Sequence, residues 1–318
     1  MGLSDAGRLR LRLQAVEYAA AGVNLYRFAA PDGSALPAFE PGAHIDVALG
    51  EGLLRQYSLL WPQPSPSEYQ IAVQLAEGGK GGSRRLHYES VVGEHYEVSA
   101  PRNHFALQPG AAPSVLLAGG IGITPLLAMY RQLKAQGRPV ALYYWAARAE
   151  HWLFPAELAG QADVRLFATR EGAAVPRLAE LLPTLPAEAQ LYCCGPQAMV
   201  DAFDQLSAGR PPGRLHRERF SASLEALQPG GGFRARLARS GISLEVAPEQ
   251  TLLQACEAAG VDVAYSCEEG VCGACEVKVL GGCVEHRDSV LSPAQRAANS
   301  HMMICCSRGL GDDLVLDL

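Results

Sequence analysis

The stretch SVLLAGGIGITPLLAM, residues 114–129, sets an apolar run before Gly119, Gly120 and Gly122, then Thr124-Pro125, then a second apolar run. Read as strand, turn and helix, it makes Thr124 the N-cap and Pro125 the first helical residue. The free N–H groups of that first turn then face whatever lies over the glycine loop, a natural place for a pyrophosphate. A glycine loop by itself is equally a tight turn, so its context decides. Downstream, PVALYYWAAR (139–148), VRLFATR (164–170) and QLYCCG (190–195) read as strands, with PLLAMYRQLKAQG (125–137) and FPAELAG (154–160) as helical stretches between them. Strand, helix and parallel strand in succession imply right-handed crossovers, hence an α/β parallel-sheet nucleotide domain over 109–224. The loop departs from the ordinary dinucleotide fingerprint, because Thr-Pro stands where a third glycine would. The next strand ends near Arg148 rather than in an acid for the ribose hydroxyls.

N-terminal to this block the texture is different. HIDVAL (44–49), QYSLLW (56–61), YQIAVQL (69–75) and HYEVSA (95–100) are short strand-like runs separated by proline and glycine, as at Pro41-Gly42 and QPSPS. This predicts an antiparallel β-barrel over 1–108. Within it, GGKGGSRRL (78–86) offers Gly81, Gly82 and Ser83 ahead of a helical segment, which suits a phosphate as well as a solvent turn.

C-terminal to the block, LEALQPGGG contributes a glycine-rich linker at 225–232. After it, ARLARSG, ISLEVAP, a helical TLLQACEAAG, EVKVLGG and LVLDL describe a small α+β module of β-grasp type over 233–318. Its centre is YSCEEGVCGACEV (265–277), with four residues between Cys267 and Cys272, two between Cys272 and Cys275, and 29 between Cys275 and Cys305. That is the plant-type spacing for a 2Fe-2S cluster held by four thiolates. A structural zinc site is the alternative, but zinc usually arrives as two short cysteine pairs. Cys305 fits the spacing better than its neighbour Cys306, and adjacent residues on a strand point to opposite faces. Cys193, Cys256 and Cys283 read as ordinary buried small residues.

Composition narrows the function classes. The 318 residues suffice for three domains, and 48% hydrophobic with 19% charged residues is globular. A net charge of −6 argues against nucleic acid or an anionic membrane as partner. No apolar run approaches the roughly 18 residues of a membrane helix, and the opening MGLSDAGRLRLRLQ lacks a secretory segment. The expectation is a cytoplasmic monomer. All nine cysteines lie in the C-terminal half, a clustering that points to metal rather than to a disulfide scaffold.

The motifs also carry a resemblance. Arg55, Tyr57 and Ser58 in RQYSLLW match the Arg-x-Tyr-Ser flavin signature of the ferredoxin–NADP reductase superfamily, and Cys194-Gly195-Pro196 matches its second nucleotide signature. With GGS at 81–83, PRNHF at 101–105, AGGIGITP, HRERF at 216–220 and the ending CCSRGLGDDLVLDL, the whole chain resembles the phthalate dioxygenase reductase family, vanillate O-demethylase reductases included. The resemblance implies FMN held by Arg55, Tyr57, Ser58 and the 81–83 loop, with Phe220 stacked on the flavin. It implies NADH held by Gly119, Gly120, Gly122, Thr124, Arg148, Cys194, Gly195 and Pro196. Arg148 could welcome a 2′-phosphate, but Glu150 close by would repel one. Ser58, Thr124, Cys194 and Phe220 are the residues expected at the reacting centre. A flavin takes a hydride's two electrons together and releases them singly to a one-electron cluster, which is why three such modules share a chain. The implied acceptor is the terminal oxygenase component of a Rieske-type aromatic oxygenase or O-demethylase. Another acceptor (a diiron monooxygenase, a cytochrome or a non-aromatic Rieske enzyme) and a non-enzymatic redox sensor or carrier are the rival readings.

Overall fold

The computed structural model describes residues 8–50, 53–79, 81–172, 174–221, 226 and 228–318, without the side chains of Asp312 and Asp313. The chain divides into two units, one ending at Glu218 and one beginning at Arg219.

The first unit opens with six antiparallel strands: β1 (Leu9–Ala20), β2 (Val23–Ala29), β3 (His44–Ala48), β4 (Leu54–Ser58), β5 (Glu68–Gln74) and β6 (His95–Val98). Their order is β4-β3-β6-β1-β2-β5. Helix α1 (Gly82–Glu89) lies between β5 and β6 in the chain. Period-two patterning builds the wall: Leu9, Leu11 and Leu13 of β1 are buried while Arg10 between them is exposed. The strand expected through QYSLLW leaves the ladder after Ser58. Leu59 bridges Ile71, and the Leu60 N–H donates to the Gln70 carbonyl at 3.1 Å, so the free edges of β4 and β5 meet and the barrel closes.

The same unit continues with β7 (Ser114–Gly119), α2 (Ile123–Ala135), β8 (Val140–Ala146), α3 (Pro155–Leu158), β9 (Val164–Ala168), α4 (Leu178–Leu181), β10 (Gln190–Cys194), α5 (Gln197–Leu206) and β11 (Leu215–Glu218). The sheet is wholly parallel, in the order β11-β10-β7-β8-β9. The chain runs outward from β7 through β8 and β9, then returns to β10 on the other side. The strand order therefore reverses between β7 and β10, the place where open α/β sheets bind ligands. One apolar core takes Val23, Leu25, Leu60 and Ala72 from the barrel together with Leu116, Leu126, Tyr144 and Tyr192 from the α/β part. Thr124 is not the N-cap expected of it. A 3₁₀ turn at Gly120–Gly122 starts the helix early, α2 begins at Ile123, and the Thr124 hydroxyl donates back to the Ile121 carbonyl at 2.9 Å. Glycine, with Gly120 at φ +53°, lets the chain coil before the threonine is reached.

The second unit comprises β12 (Phe233–Leu237), β13 (Ile242–Val246), α6 (Leu252–Ala258), β14 (Glu276–Glu285), α7 (Pro293–Ala298), β15 (His301–Met303) and β16 (Arg308–Leu316). Its mixed sheet, ordered β13-β12-β16-β14-β15, packs against α6 through Leu252, Leu253, Ala255 and Cys256. Thr251 and Gln254 cap that helix reciprocally. Cys256 is buried as expected, but Cys283 is exposed. Irregular register at Gly281 and Cys283 on β14 breaks the alternation that would have turned it inward.

Of the linker read at 225–232, Glu225 and Leu227 lie outside the described residues. The part from Gln228 to Gly231 is tied down rather than free: Arg287 donates to the Gln228 carbonyl at 2.7 Å, and Arg308 donates twice to Gly231, at 2.8 and 3.1 Å. Arg308 is buried and also serves the carbonyls of Ala247 and Gln250. Removing it strands several acceptors at once, each unmet buried group costing about 1–3 kcal/mol. Arg308→Ala should lower the unfolding free energy by about 2–4 kcal/mol. Hydrogen exchange of the β12 and β16 amides in the full chain measures it.

Candidate functional site

At the switch point, two loops touch backbone to backbone. A Cβ on Gly122 would lie 2.4 Å from the Cys194 carbonyl oxygen and 2.6 Å from the Gly195 nitrogen. A Cβ on Gly195 would likewise come within 3.0 Å of the Gly119 Cα. Only glycine fits, so Gly119, Gly120, Gly122, Thr124, Cys194, Gly195 and Pro196 form one concave backbone surface at the carboxyl ends of β7 and β10. That cradle matches what a nucleotide diphosphate requires.

The last side chain of β10 faces inward. Cys194 is fully buried, and its thiol points to Glu218 Oε2 at 4.0 Å. Burial, then the Glu218 and Cys193 charges, push the thiol well up, so it is held protonated. Burial also pushes the Glu218 carboxyl up to about 8. Glu218 escaped the sequence reading although it stands two residues before Phe220. Its burial follows from parallel pairing of β11 with β10, which sets Glu218 beside Cys194.

Arg148 stands apart from the cradle, just beyond β8. It is exposed and pairs with Glu150 at 3.5 Å. The acid that the sequence did not supply at this strand end arrives from the end of β9: the Ala149 N–H donates to Glu171 Oε1 at 2.7 Å. Two carboxylates, Glu150 and Glu171, therefore stand by the Arg148-Ala149 segment that follows β8.

On the barrel, register places Arg55, Tyr57 and Ser58 of β4 opposite Val47, Ile45 and His44 of β3. Arg55 and Tyr57 share a face by the two-residue period. Burial raises the Tyr57 hydroxyl, with Arg55 as the opposing influence. The 81–83 loop meets this strand directly, since a Cβ on Gly82 would lie 2.5 Å from Arg55 Cγ. Gly81 adopts φ +92°, and the Ser83 hydroxyl accepts from the Ala76 N–H at 3.0 Å. Arg55, a glycine turn and a helix start without acidic residues make a fitting seat for a phosphate. Phe220 follows β11 and is 43% exposed.

In the second unit the four cysteines of the spacing motif come together. Cys272 and Cys305 both lie within hydrogen-bonding reach of Cys267, and Cys275 lies within reach of Cys305. The bonds from Cys272 and Cys305 lower the Cys267 thiol. The Glu269 and Ala274 N–H groups donate to the sulfurs of Cys267 and Cys272 at 3.3 and 3.4 Å. Four thiols so grouped, with backbone N–H donors at two of the sulfurs, fit the thiolate set of a 2Fe-2S cluster. The neighbouring thiol, Cys306, also lies within reach of Cys305, but its Sγ would stand 2.5 Å from a Cβ on Gly270 and lies 3.9 Å from the Met303 carbonyl. Gly270 must be glycine both for this contact and for its φ of +70°.

Residues 235–308 match the model of a 2Fe-2S iron-sulfur cluster binding domain. Over its whole length the chain is 44% identical to the phenoxybenzoate dioxygenase subunit beta of Ectopseudomonas oleovorans, across 309 residues and 97% of each chain. The crystal structure of phthalate dioxygenase reductase, described as a modular structure for electron transfer from pyridine nucleotides to [2Fe-2S], superposes with a TM-score of 0.71, 35% identity and full coverage of both chains. An intact type IV self-sufficient cytochrome P450 monooxygenase aligns at a TM-score of 0.91 and 40% identity, over 98% of this chain and 41% of that one. Fold and cradles define an electron-transfer reductase with an iron-sulfur module. The chain belongs to the phthalate dioxygenase reductase family. Among the described residues, no helix is long and apolar enough to cross a membrane.

Two outcomes follow from the geometry. Cys305→Ser should abolish the visible absorption of the iron-sulfur centre in purified protein, whereas Cys306→Ser should keep it; the reverse result would move the fourth ligand to Cys306. Glu218 supplies a pH dependence. Its folded value, about 8, exceeds its ordinary 4.5, so the folded state retains a proton that the unfolded chain releases. The stability it contributes is complete below about 4.5 and is lost as pH rises through 8. Glu218→Gln should flatten the decline in melting temperature between about pH 5 and 8, read by differential scanning calorimetry.

Proposed function

We propose that the chain is the NADH-dependent reductase component of a Rieske-type aromatic oxygenase or O-demethylase system. Electrons enter as hydride from NADH, pass through FMN and the 2Fe-2S cluster, and leave one at a time to a separate terminal oxygenase. The flavin supplies the conversion from paired to single electrons. The observation that carries the reading is the grouping of Cys267, Cys272, Cys275 and Cys305 in a chain that also builds the Gly122–Cys194 cradle.

The residues divide the work as follows. The 119–124 loop and Gly195-Pro196 hold the pyrophosphate and the nicotinamide ribose. Cys194 is a positioning residue: its raised, buried thiol suits steric contact with a nicotinamide rather than attack on it. Arg55 and the 81–83 loop balance the FMN phosphate, Tyr57 and Ser58 line the ring, and Phe220 covers it. Glu150 and Glu171 beside Arg148 favour NADH over NADPH. On this reading the flavin part spans 1–108 and the nucleotide part 109–224, followed by the linker 225–232 and the ferredoxin part 233–318. The protein is a cytoplasmic monomer.

A haem monooxygenase as acceptor is the second reading, favoured by the alignment with the self-sufficient P450. Anaerobic titration with NADH tests the main proposal. Flavin bands and iron-sulfur charge-transfer absorption should both be present and both bleach; a colourless protein, or one indifferent to NADH, overturns it. Turnover with cytochrome c separates a reductase from a redox sensor. Reconstitution with a Rieske oxygenase and with a P450 separates the acceptors.

A further inference from the structure

One guanidinium reaches across the two halves of the first unit, beside the apolar core that they share. Arg131 lies on α2, seven residues and about two helical turns beyond Thr124. Its Cζ sits 3.2 Å from the centroid of the Trp61 ring and 5.0 Å from that of Phe154. Nε and Nη2 donate to the two Glu157 oxygens at 2.8 and 2.5 Å, and Nη1 donates to the Leu60 carbonyl at 3.3 Å. Trp61 and Leu60 belong to the barrel, directly after Ser58 on the strand that carries Arg-x-Tyr-Ser. Phe154 and Glu157 belong to the α/β part. The Trp61 indole N–H donates in turn to the Gln70 side chain on β5, and the Trp61 and Phe154 rings meet edge to face at 6.1 Å.

Two features mark this as more than surface pairing. The Arg131 side chain is only 13% exposed, so the ion pair and the ring contact act in a medium where charge is poorly screened. Phe154 holds φ at +51°, a conformation that costs a bulky residue about 1–3 kcal/mol. The backbone tolerates that strain at the residue whose ring faces Arg131 and Trp61. Each half also keeps apolar packing of its own, around Leu11, Phe28 and Val47 in the barrel and around Leu117, Leu191 and Phe203 beyond the sheet. The halves also share the core around Val23, Leu60, Leu116 and Leu126, so loosening the clasp adjusts their spacing while both stay folded and packed together.

We infer that Arg131 is a positioning residue that sets the spacing between the flavin strand and the helix bearing the nicotinamide loop. The inference rests on the two-cofactor reading proposed above. Hydride transfer tolerates little misplacement, and an error of about 1 Å can cost on the order of 100-fold. Lysine keeps the charge but neither forks onto Glu157 nor stacks on Trp61.

Arg131→Lys and the milder Glu157→Gln, each made in the full-length holoprotein, test it. Anaerobic stopped-flow reduction by NADH and by NADH deuterated at the transferred position gives rate, saturation and isotope effect. Arg131→Lys should slow flavin reduction by about 10- to 100-fold. Its half-saturating NADH concentration should stay close to that of the unaltered protein, and its isotope effect should change. Glu157→Gln should move the same quantities in the same direction by less. Hydrogen exchange should quicken at the Leu59 and Leu60 amides in both variants. A folded, flavin-loaded Arg131→Lys with unchanged rate and isotope effect overturns the inference. So does a loss confined to thermal stability, with rate and isotope effect intact in the folded fraction. If the unaltered protein is not reduced by NADH, the proposed function fails instead. The exchange measurement then decides the clasp: faster exchange at Leu59 and Leu60 upholds it and unchanged exchange overturns it.

Discussion

The contact of Gly122 with the Cys194–Gly195 peptide is the constraint on which the first unit is arranged. No side chain can enter between them, so β7 and β10 approach at their carboxyl ends as closely as two backbones can. Several features follow from that approach. The 3₁₀ turn at Gly120–Gly122 carries the chain over β10 and starts α2 before Thr124 is reached. Cys194 is forced inward at the end of its strand, and parallel pairing brings Glu218 against it. A thiol and a carboxyl, both kept protonated by burial, then form a neutral polar floor beneath a surface of backbone N–H groups. A neutral floor suits a ligand whose negative charge lies at the phosphates and whose ring end is flat and weakly polar.

The two environments of cysteine in this chain illustrate how packing selects chemistry. Cys194 has a carboxyl for a partner and no donor to stabilise negative charge, and its thiol is raised. Cys267 receives hydrogen bonds from two other thiols and a backbone N–H, and its thiol is lowered. The first arrangement gives an inert, space-filling sulfur, the second a group of four sulfurs with backbone N–H donors turned toward two of them, the setting of metal-binding thiols. Cys306, which adjoins Cys305, has its sulfur packed against Gly270 and the Met303 carbonyl.

Much of this was legible from residue order because the decisive signals are local. The cysteine spacing, the strand–glycine–helix run and the period-two barrel strands each act within a dozen or so residues, and local rules govern them. What was not legible depends on pairing across long separations. Glu171 reaches the Ala149 N–H from 22 residues away, and Glu218 meets Cys194 only because β11 lies beside β10. Thr124 misled because Thr-Pro is a helix-start signal whose force the preceding glycines pre-empt. Cys283 misled because a β-bulge reverses facing, and its only mark in the sequence is the Gly281-Gly282 pair just before it. The glycine-rich segment gives no sign of its anchor, a buried arginine 77 residues later that binds the Gly231 carbonyl.

These long-range pairs share a property. Glu171, Glu218 and Arg308 are each a charged or polar side chain whose partner is backbone or a buried group, so each is satisfied only in the assembled fold. Local motifs bring the cofactor-facing backbone into being, and these side chains then hold one piece of it against another. The same distinction separates residues that touch a ligand from residues that set distances between ligands. Motif reading finds the former, because ligand chemistry restricts which residue types can serve. The latter are restricted only by the geometry of the interface they span, and any planar, multiply donating side chain of the right length will answer. Arginine meets that description best. For that reason Arg131 in one unit and Arg308 in the other sit at junctions between segments, Arg308 doing so from within the CCSRGLGDDLVLDL ending.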